Sequence, residues 1–505
     1  MATNPAANVA PSGSHESVNV IGLIAAFLAL IAVMLLPTPQ GLPVAGQIML
    51  ALLLFSVILW ATEAVDYAIS AVLITALMAF MLGMAPNAAK PEAVLGTGPA
   101  LTLAMGGFAN TALALVAAAC FLSAAMTITG LDKRIALFIL SKVGARTNRV
   151  LIGAILVGIV LSFLVPSTTA RVACLVPIIM GIILAFGVDK RSRFAGMLMI
   201  ATAQAASIWN VGVKTAAAQN MVAIGFIEKT FKTTITWGDW LVAAAPWSIL
   251  MSIALYFVMI KMMPPETEEI AGGKETIRQA LHELGPMSFN EKKLLFIMLA
   301  LLGFWATEKV LHPFDTSSTT IAAIALMFTP GIGVMGWKQA QSKIPWGTIV
   351  LFGTGISLGT ALLQTKAAAW LANIIVANLG LAGASAFMIL ALLSLFLIVV
   401  HLGFASATAL ASAMIPIMIS VLQQIAGSPD AAPLNLVGMT MLLQFVVSFG
   451  FILPVNAPQN MVAFGTDAFT VKDFVRTGLV LTVIGFALVL LLGATYWSWM
   501  GYMTR

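Results

Sequence analysis

The chain has 505 residues, 60% of them hydrophobic and only 9% charged, with a formal net charge of +6 and a mean hydropathy of +1.03. Soluble domains carry about 25% charged residues, so a soluble enzyme is excluded. The solid apolar runs, with no alternation, also exclude an outer-membrane β-barrel.

Residues 1–18 are polar and hold no Lys or Arg. They read as a cytoplasmic N-terminal tail, not as a cleaved signal peptide. The first span follows within 19–42, at about 19–36. A first repeat occupies 43–262, with spans near 43–60, 68–85, 106–130, 194–226 and 241–262. Between them, 131–149 places apolar residues at helical spacing beside five basic ones, as in a helix lying on the cytoplasmic face. The stretch 150–186 carries Arg171 as its one charge and is flanked on both sides by arginines and lysines. Basic flanks stay in the cytoplasm, so the stretch enters and returns as a re-entrant hairpin. Its turn falls near Pro166-Ser167-Thr168-Thr169. A mixed-charge cytoplasmic linker, 263–293, leads to a second repeat over 294–505. That repeat has spans near 294–312, 318–336, 346–364, 433–464 and 475–499, and a second hairpin over 385–424 with its turn near Gly403–Thr408.

The repeats are visible as duplicated words. Gln219-Asn220-Met221-Val222-Ala223 recurs as Gln459-Asn460-Met461-Val462-Ala463, at an offset of 240. Trp60-Ala61-Thr62-Glu63 recurs as Trp305-Ala306-Thr307-Glu308, and Leu175-Val176-Pro177-Ile178 aligns with Met414-Ile415-Pro416-Ile417. Each repeat has an odd number of spans, so the copies insert with opposite topology. The predicted fold class is an all-α polytopic membrane protein of about 11 transmembrane helices plus two re-entrant hairpins. It is built as two inverted-topology repeats, divided into a scaffold and a moving transport bundle.

The chemistry concentrates at the two tips and in two overlong spans. Span 194–226 carries Asn210, Lys214, Thr215, Gln219 and Asn220 at mid-depth. Span 433–464 carries Pro454, Asn456, Pro458, Gln459 and Asn460. A proline inside a helix forces a break, and the freed half-helix N-terminus favours an anion. The expected substrate-binding set is Ser167, Thr168, Thr169, Arg171, Lys214, Gln219, Asn220, Ser406, Thr408, Asn456, Pro458, Gln459 and Asn460. Hydroxyls and amides also serve as helix–helix glue, but glue does not account for two matched tips and two matched breaks. Intramembrane cations should face a cavity or a partner, and no Asp or Glu lies in the same segments. Arg171, Lys214 and His401 are therefore read as charge-compensating groups, with His401 also a proton-site candidate. Structural roles remain open for Arg171 (snorkelling), Lys214 (carbonyl-bound core) and His401. Glu63, Asp66 and Glu308 lie near helix ends and read as interfacial or capping. Cys120 and Cys174 read as buried thiols without a disulfide framework. The basic residues set topology and imply no nucleic-acid partner.

The segment Ser448-Phe449-Gly450-Phe451-Ile452-Leu453-Pro454-Val455-Asn456-Ala457-Pro458-Gln459-Asn460 resembles the signature of the divalent anion/sodium symporter family of di- and tricarboxylate carriers. Pro166-Ser167-Thr168-Thr169-Ala170-Arg171 resembles the tip of its citrate/succinate and 2-oxoglutarate/malate exchanger branch. The likeness runs from about residue 43 to the end. It implies a carrier of small organic anions, a homodimer embedded in membrane lipid, and a place in the bacterial inner membrane. The family carries Ser-Asn-Thr at both tips; this chain has Ser-Thr-Thr and Ser-Ala-Thr. The asparagines that help build sodium sites are absent and Lys214 stands close by, so no cofactor is expected and bound sodium is disfavoured. The expected function is exchange of di- or tricarboxylates by alternating access. The rivals are a sodium- or proton-coupled symporter and an anion channel. An enzyme is not expected, because the core offers no metal set or paired acid and base.

Overall fold

The computed structural model describes residues 19–87, 90–144, 146–185, 187–267, 273–429 and 433–504. The N-terminal tail, 1–18, and residues 268–272 of the linker lie outside the described residues. After α1 (Val20–Leu35), the first repeat runs α2 (Val44–Ala61), α3 (Tyr67–Gly83), a small β-hairpin (Pro86–Asn87 with Lys90–Val94), α4 (Thr97–Met105), α5 (Thr111–Thr129), α6 (Leu131–Val143), α7 (Thr147–Leu164), α8 (Thr168–Ala185) and α9 (Arg193–Gly212). A single 3-10 turn, Lys214–Ala216, then separates α9 from α10 (Ala218–Phe231), and α11 (Trp237–Met262) closes the repeat. The linker contains α12 (Gly273–Glu283). The second repeat gives the same series: α13 (Phe289–Ala306), α14 (Thr316–Phe328), α15 (Trp337–Gln341), α16 (Trp346–Gln364), α17 (Ala367–Leu379), α18 (Ala386–His401), α19 (Ala407–Ala426), α20 (Leu436–Val447), the 3-10 turn Pro454–Asn456, α21 (Pro458–Phe464) and α22 (Val471–Ala494). Among the described residues, eight helices are long and apolar enough to cross a membrane, and further apolar helices are shorter.

Each stretch read as a hairpin is a pair of helices joined by a short turn, α7–α8 and α18–α19, and both overlong spans break where expected. Three expectations change. The span near 106–130 starts only at Thr111, because Gly106-Gly107 ends α4 and Asn110 caps α5, its side chain accepting from Ala112 N at 2.7 Å. A Cβ at Gly107 would sit 2.1 Å from the Gly353 carbonyl of α16, so this break also lets two helices cross closely. The span near 318–336 ends at Phe328. The surface helix ends at Val143, before Gly144, and it has an unforeseen counterpart, α17, in the second repeat.

Two packing groups follow from the contacts, joined where α16 packs on α19 and α5 on α10. In one, α1, α2 and α3 pack in series, α3 packs on α4 and α16, and α14 packs on α5 and α13. In the other, α9 packs on α7, α8 and α11, and α11 packs on α22. Trp247 joins the last pair: its Nε1 donates to Gly485 O at 3.0 Å and its ring stacks on Phe449 at 4.9 Å. Gly478 of α22 lets the second break lie against that helix, since a Cβ there would be 1.9 Å from Phe451 O.

Candidate functional site

A cavity of about 330 Å³ lies where the two tips and the two breaks meet. Four chain segments converge on it: Ser167-Thr168-Thr169, Ser406-Ala407-Thr408, Thr215 with Ala217-Ala218-Gln219, and Ala457-Pro458-Gln459. Each brings a helix start, of α8, α19, α10 and α21. Ser167 Oγ accepts from Ala170 N and Ser406 Oγ from Ala409 N, both at 3.4 Å. These caps leave the amides of Thr168, Thr169, Ala407 and Thr408 at the helix mouths, where the backbone dipole favours negative charge. The remaining wall is Asn210, Ser448, Gly450, apolar residues and Cys120 of α5, Tyr67 of α3, and Pro345, Thr348 and Leu351 beside and within α16. Among the described residues no Asp, Glu, Lys, Arg or His lines it.

The three cations stand outside the wall. Arg171 is completely buried beneath the first tip. Its Nη1 donates to Val165 O at 2.8 Å and Ala216 O at 2.9 Å, and its Nη2 to Asn210 Oδ1 at 2.6 Å and Ala206 O at 3.3 Å. It ties the tip to the broken helix and reaches the cavity through one intermediary. Asn210 Oδ1 also accepts from Thr168 Oγ1 at 2.7 Å. With that oxygen doubly occupied, the Asn210 amide NH₂ is the face left for a ligand. Lys214 turns away from the cavity: Nζ donates to Ile235 O at 2.6 Å and Thr316 Oγ1 at 3.4 Å. The nearest carboxylates to Lys214 are Glu308, one hydroxyl further on and accepting from Thr316 Oγ1 at 2.7 Å, and Glu228 of α10. His401 is buried with neither ring nitrogen hydrogen-bonded, and its backbone carbonyl accepts from Asn456 Nδ2 at 3.0 Å.

The amides divide between wall and support. Asn220 Nδ2 donates to Asn210 O at 2.7 Å and Val213 O at 3.2 Å; Asn460 Nδ2 donates to Gly450 O at 2.8 Å and Leu453 O at 3.5 Å. These acceptors match at the same offset of 240, so each asparagine bridges its own break and neither lines the cavity. Asn456 supports the second tip, donating to His401 O and, at 2.9 Å, Phe404 O. Gln219 and Gln459 line the cavity and reach across repeats, Gln219 Nε2 to Ser448 Oγ at 3.3 Å and Gln459 Nε2 to Ser207 Oγ at 3.1 Å. Asn210 and Ser448 belong to the motif-bearing segments, but the polar pattern there does not set them apart as contacts. Tyr67, Thr348 and Cys120 come from helices with no polar pattern, so nothing in the sequence points to them.

The sequence matches the family described as the sodium:sulfate symporter transmembrane region over residues 17–503. The chain belongs to that family. It is 55% identical to a membrane protein of Cupriavidus necator over 95% of this chain and 93% of that one. It is 26% identical to the L-tartrate/succinate antiporter of Escherichia coli K12 (92% and 96% covered) and 25% identical to the sodium-dependent dicarboxylate transporter SdcS of Staphylococcus saprophyticus (95% and 91%). The crystal structure of the YdaH transporter of Alcanivorax borkumensis, described as having an unusual topology, shares the fold at a TM-score of 0.53 and 12% identity, over 87% of this chain and 98% of that one. The chain is a multi-pass transporter of the inner membrane, not an enzyme.

Proposed function

We propose that the chain exchanges small organic dicarboxylates across the membrane by alternating access, with no bound sodium. The observation that carries this reading is the cavity itself. It gathers four helix N-termini, hydroxyls and amide groups, and among the described residues it presents no acid. A dianion would take the amides of one tip with each carboxylate, with Asn210, Gln219 and Gln459 donating between them.

Charge balance supports exchange over symport. Among the described residues, Arg171 makes no ion pair; its bonds go to carbonyls and to Asn210. A buried cation of this kind is costly to carry through a dry barrier. An anion in the cavity offsets it, so the loaded bundle moves and the empty one does not. The same geometry disfavours sodium at the first tip. A hard cation needs several oxygen ligands, and the carbonyls of Val165 and Ala216 already accept from the guanidinium. At the second tip the carbonyls of His401 and Phe404 already accept from Asn456.

The test is transport in proteoliposomes loaded with succinate or left empty. The expected result is labelled succinate uptake only into loaded vesicles, at a rate indifferent to a sodium gradient. Strong sodium-driven uptake into empty vesicles would replace this reading with symport of the kind SdcS is named for. A rate above any carrier cycle would replace it with a channel.

A further inference from the structure

The duplicated Trp-Ala-Thr-Glu element takes no part in the substrate cavity. Its tryptophans do equivalent work: Trp60 Nε1 donates to Ser70 Oγ at 3.2 Å and Trp305 Nε1 to Thr320 Oγ1 at 3.1 Å, each pinning its helix to the next. Its glutamates do not. Glu63 is not buried, and it accepts from Tyr67 OH at 3.3 Å. Glu308 is buried, and its Oε2 accepts from both Thr316 Oγ1 (2.7 Å) and the Trp237 amide (3.1 Å). Through Thr316 it meets Lys214 Nζ, forming a buried relay of ammonium, hydroxyl and carboxylate.

The relay crosses the seam between the two packing groups. Glu308 and Thr316 belong to the scaffold, at the end of α13 and the start of α14. Lys214, Ile235 and Trp237 belong to the broken helix and the approach to α11. Trp237 also stacks on Trp305 across this seam, with centroids 6.3 Å apart. The relay adjoins the cavity at Thr215, which accepts from Trp237 Nε1 at 3.3 Å, and lies at the opposite end of α14 from the α16 part of the cavity wall. Thr316 begins α14, whereas Phe328 ends it and meets Phe121 and Trp337; Phe121 in turn meets Trp346, beside the wall residues Pro345 and Thr348. Thirteen helical residues separate the two ends, about 20 Å at 1.5 Å per residue. The two breaks differ accordingly. Behind the relay, Lys214 through Ala217 are all buried, while the matching turn leaves Val455 53% exposed.

We infer that Lys214, Thr316 and Glu308 form a latch that shuts one face of the carrier and must open for each transport cycle. This rests on the alternating-access reading above. The latch holds bundle to scaffold at one end while the cavity is reachable from the other. The second repeat has no equivalent: Pro454 stands where Lys214 would be, and among the described residues Glu63 accepts only from Tyr67. The opposite state therefore lacks an ionic latch, and the substrate-free carrier rests in the state with the first break sealed.

The cavity supplies its own reporter in Cys120. With Cys174→Ser leaving Cys120 as the sole thiol, a membrane-impermeant maleimide is applied to sealed vesicles of either orientation. The parent labels from one face only. Thr316→Val removes the relay and keeps both charges, so it is the variant least exposed to misfolding. Labelling from the opposite face then rises roughly tenfold while labelling from the open face barely changes, the ratio expected when one charge-assisted bond is lost from the dominant state. Lys214→Met with Glu308→Gln raises it no further, and Thr316→Ser restores the parent pattern. One-sided labelling of the parent with unchanged rates in all variants overturns the latch alone. Equal labelling of the parent from both faces overturns the resting latch, whereas passage of the maleimide through the protein into the vesicle lumen overturns alternating access, and the latch with it.

Discussion

The two tip-and-break units are copies that solve one problem with different side chains. In each, the chain leaves a hairpin helix, turns, and exposes a carbonyl at the tip: Val165 O in the first, Phe404 O in the second. A buried carbonyl without a partner is costly, so each needs a donor. The first unit supplies it from the hairpin, with Arg171, which also holds Ala216 O of the break. The second supplies it from the break, with Asn456, which occupies the position equivalent to Ala216. The duplicated feature is thus the orphan carbonyl, not the donor. Only the first solution brings a charge, and with it a reason for the substrate to be an anion.

The largest effects should come from removing the two donors. Arg171→Ala strips five bonds and leaves Val165 O and Ala216 O unpaired, a loss on the order of 3–5 kcal/mol by the measure of broken buried charge networks. Thermal unfolding in detergent should show it, and exchange should fall below detection. Asn456→Ala loses three neutral bonds, about 2–3 kcal/mol. Equal losses at the two sites would break the comparison. The sharper version is the double variant Arg171→Ala with Ala216→Asn, which gives the first unit the second unit's donor. It should recover most of the unfolding midpoint. Exchange should stay low, because the positive charge is still missing. Recovery of full exchange would show that Arg171 is a strut and nothing more.

Asn210 is where the first unit converts that charge into a contact. Asn210→Asp keeps the size but replaces the donor with an acceptor. Substrate half-saturation should rise by roughly 10- to 100-fold, as for a site whose hydrogen bond to the ligand is inverted. Stability should change little, since Arg171 then pairs with the new carboxylate. The second repeat has no counterpart to this side chain, for Gly450 stands at the matching position. That gap leaves Asn210 without a matching amide in the second repeat, unlike the paired Gln219 and Gln459.

Much of this architecture is legible in the chain. Basic residues on both sides of 150–186 require a hairpin, and Pro454 and Pro458 require a break. The recurring Gln-Asn pair locates the partner break even though no proline marks it. What the sequence does not carry is direction. Lys214 follows α9 by two residues, and whether its ammonium faces the cavity or Ile235 O depends on the rotation of a single 3-10 turn. The predicted span 194–226 holds no acid: Glu228 falls just beyond it on α10, and Glu308 arrives from the other repeat. Arg171 reads as a ligand because cations in membranes need partners. Backbone carbonyls at a tip are such partners, and no residue type announces them. The helix α17 escapes sequence reading for a different reason: Lys366 is its one flanking cation, so it lacks the basic signature that marks α6.

Those two surface helices extend the comparison beyond the membrane core. Arg134 of α6 forms an ion pair with Glu291 at 2.6 Å and donates to Leu284 O and Gly285 O of the linker, whereas α17 is tied to its own hairpin through Asn373 and Gln424. Partial burial works against the ionised Glu291, but the Arg134 hydrogen bond and the Ser288 amide outweigh it and hold its carboxyl below the usual range. A depressed carboxyl stabilises the fold above its ordinary pKa, and that contribution is lost as pH falls through the lowered value. Glu291→Gln should therefore cost about 1–2 kcal/mol at neutral pH and almost nothing in strong acid. A penalty of the same size at both ends of the range would mean that packing, not charge, holds this contact.

The smallest expected effect tests the part of the comparison that is most nearly symmetric. Gln219 donates to Ser448 and Gln459 to Ser207, so each repeat's glutamine fixes a hydroxyl of the other beside the cavity. Each bond is neutral and worth about 1 kcal/mol. Gln219→Ala and Gln459→Ala should each lower stability by that amount and raise substrate half-saturation severalfold. Both side chains line the cavity and are equally buried, 5% and 6% exposed. The two stability losses should therefore be alike, and the double variant should fall short of the sum if the two glutamines hold one shared wall. Strict additivity would mean that the repeats brace each other at two independent points.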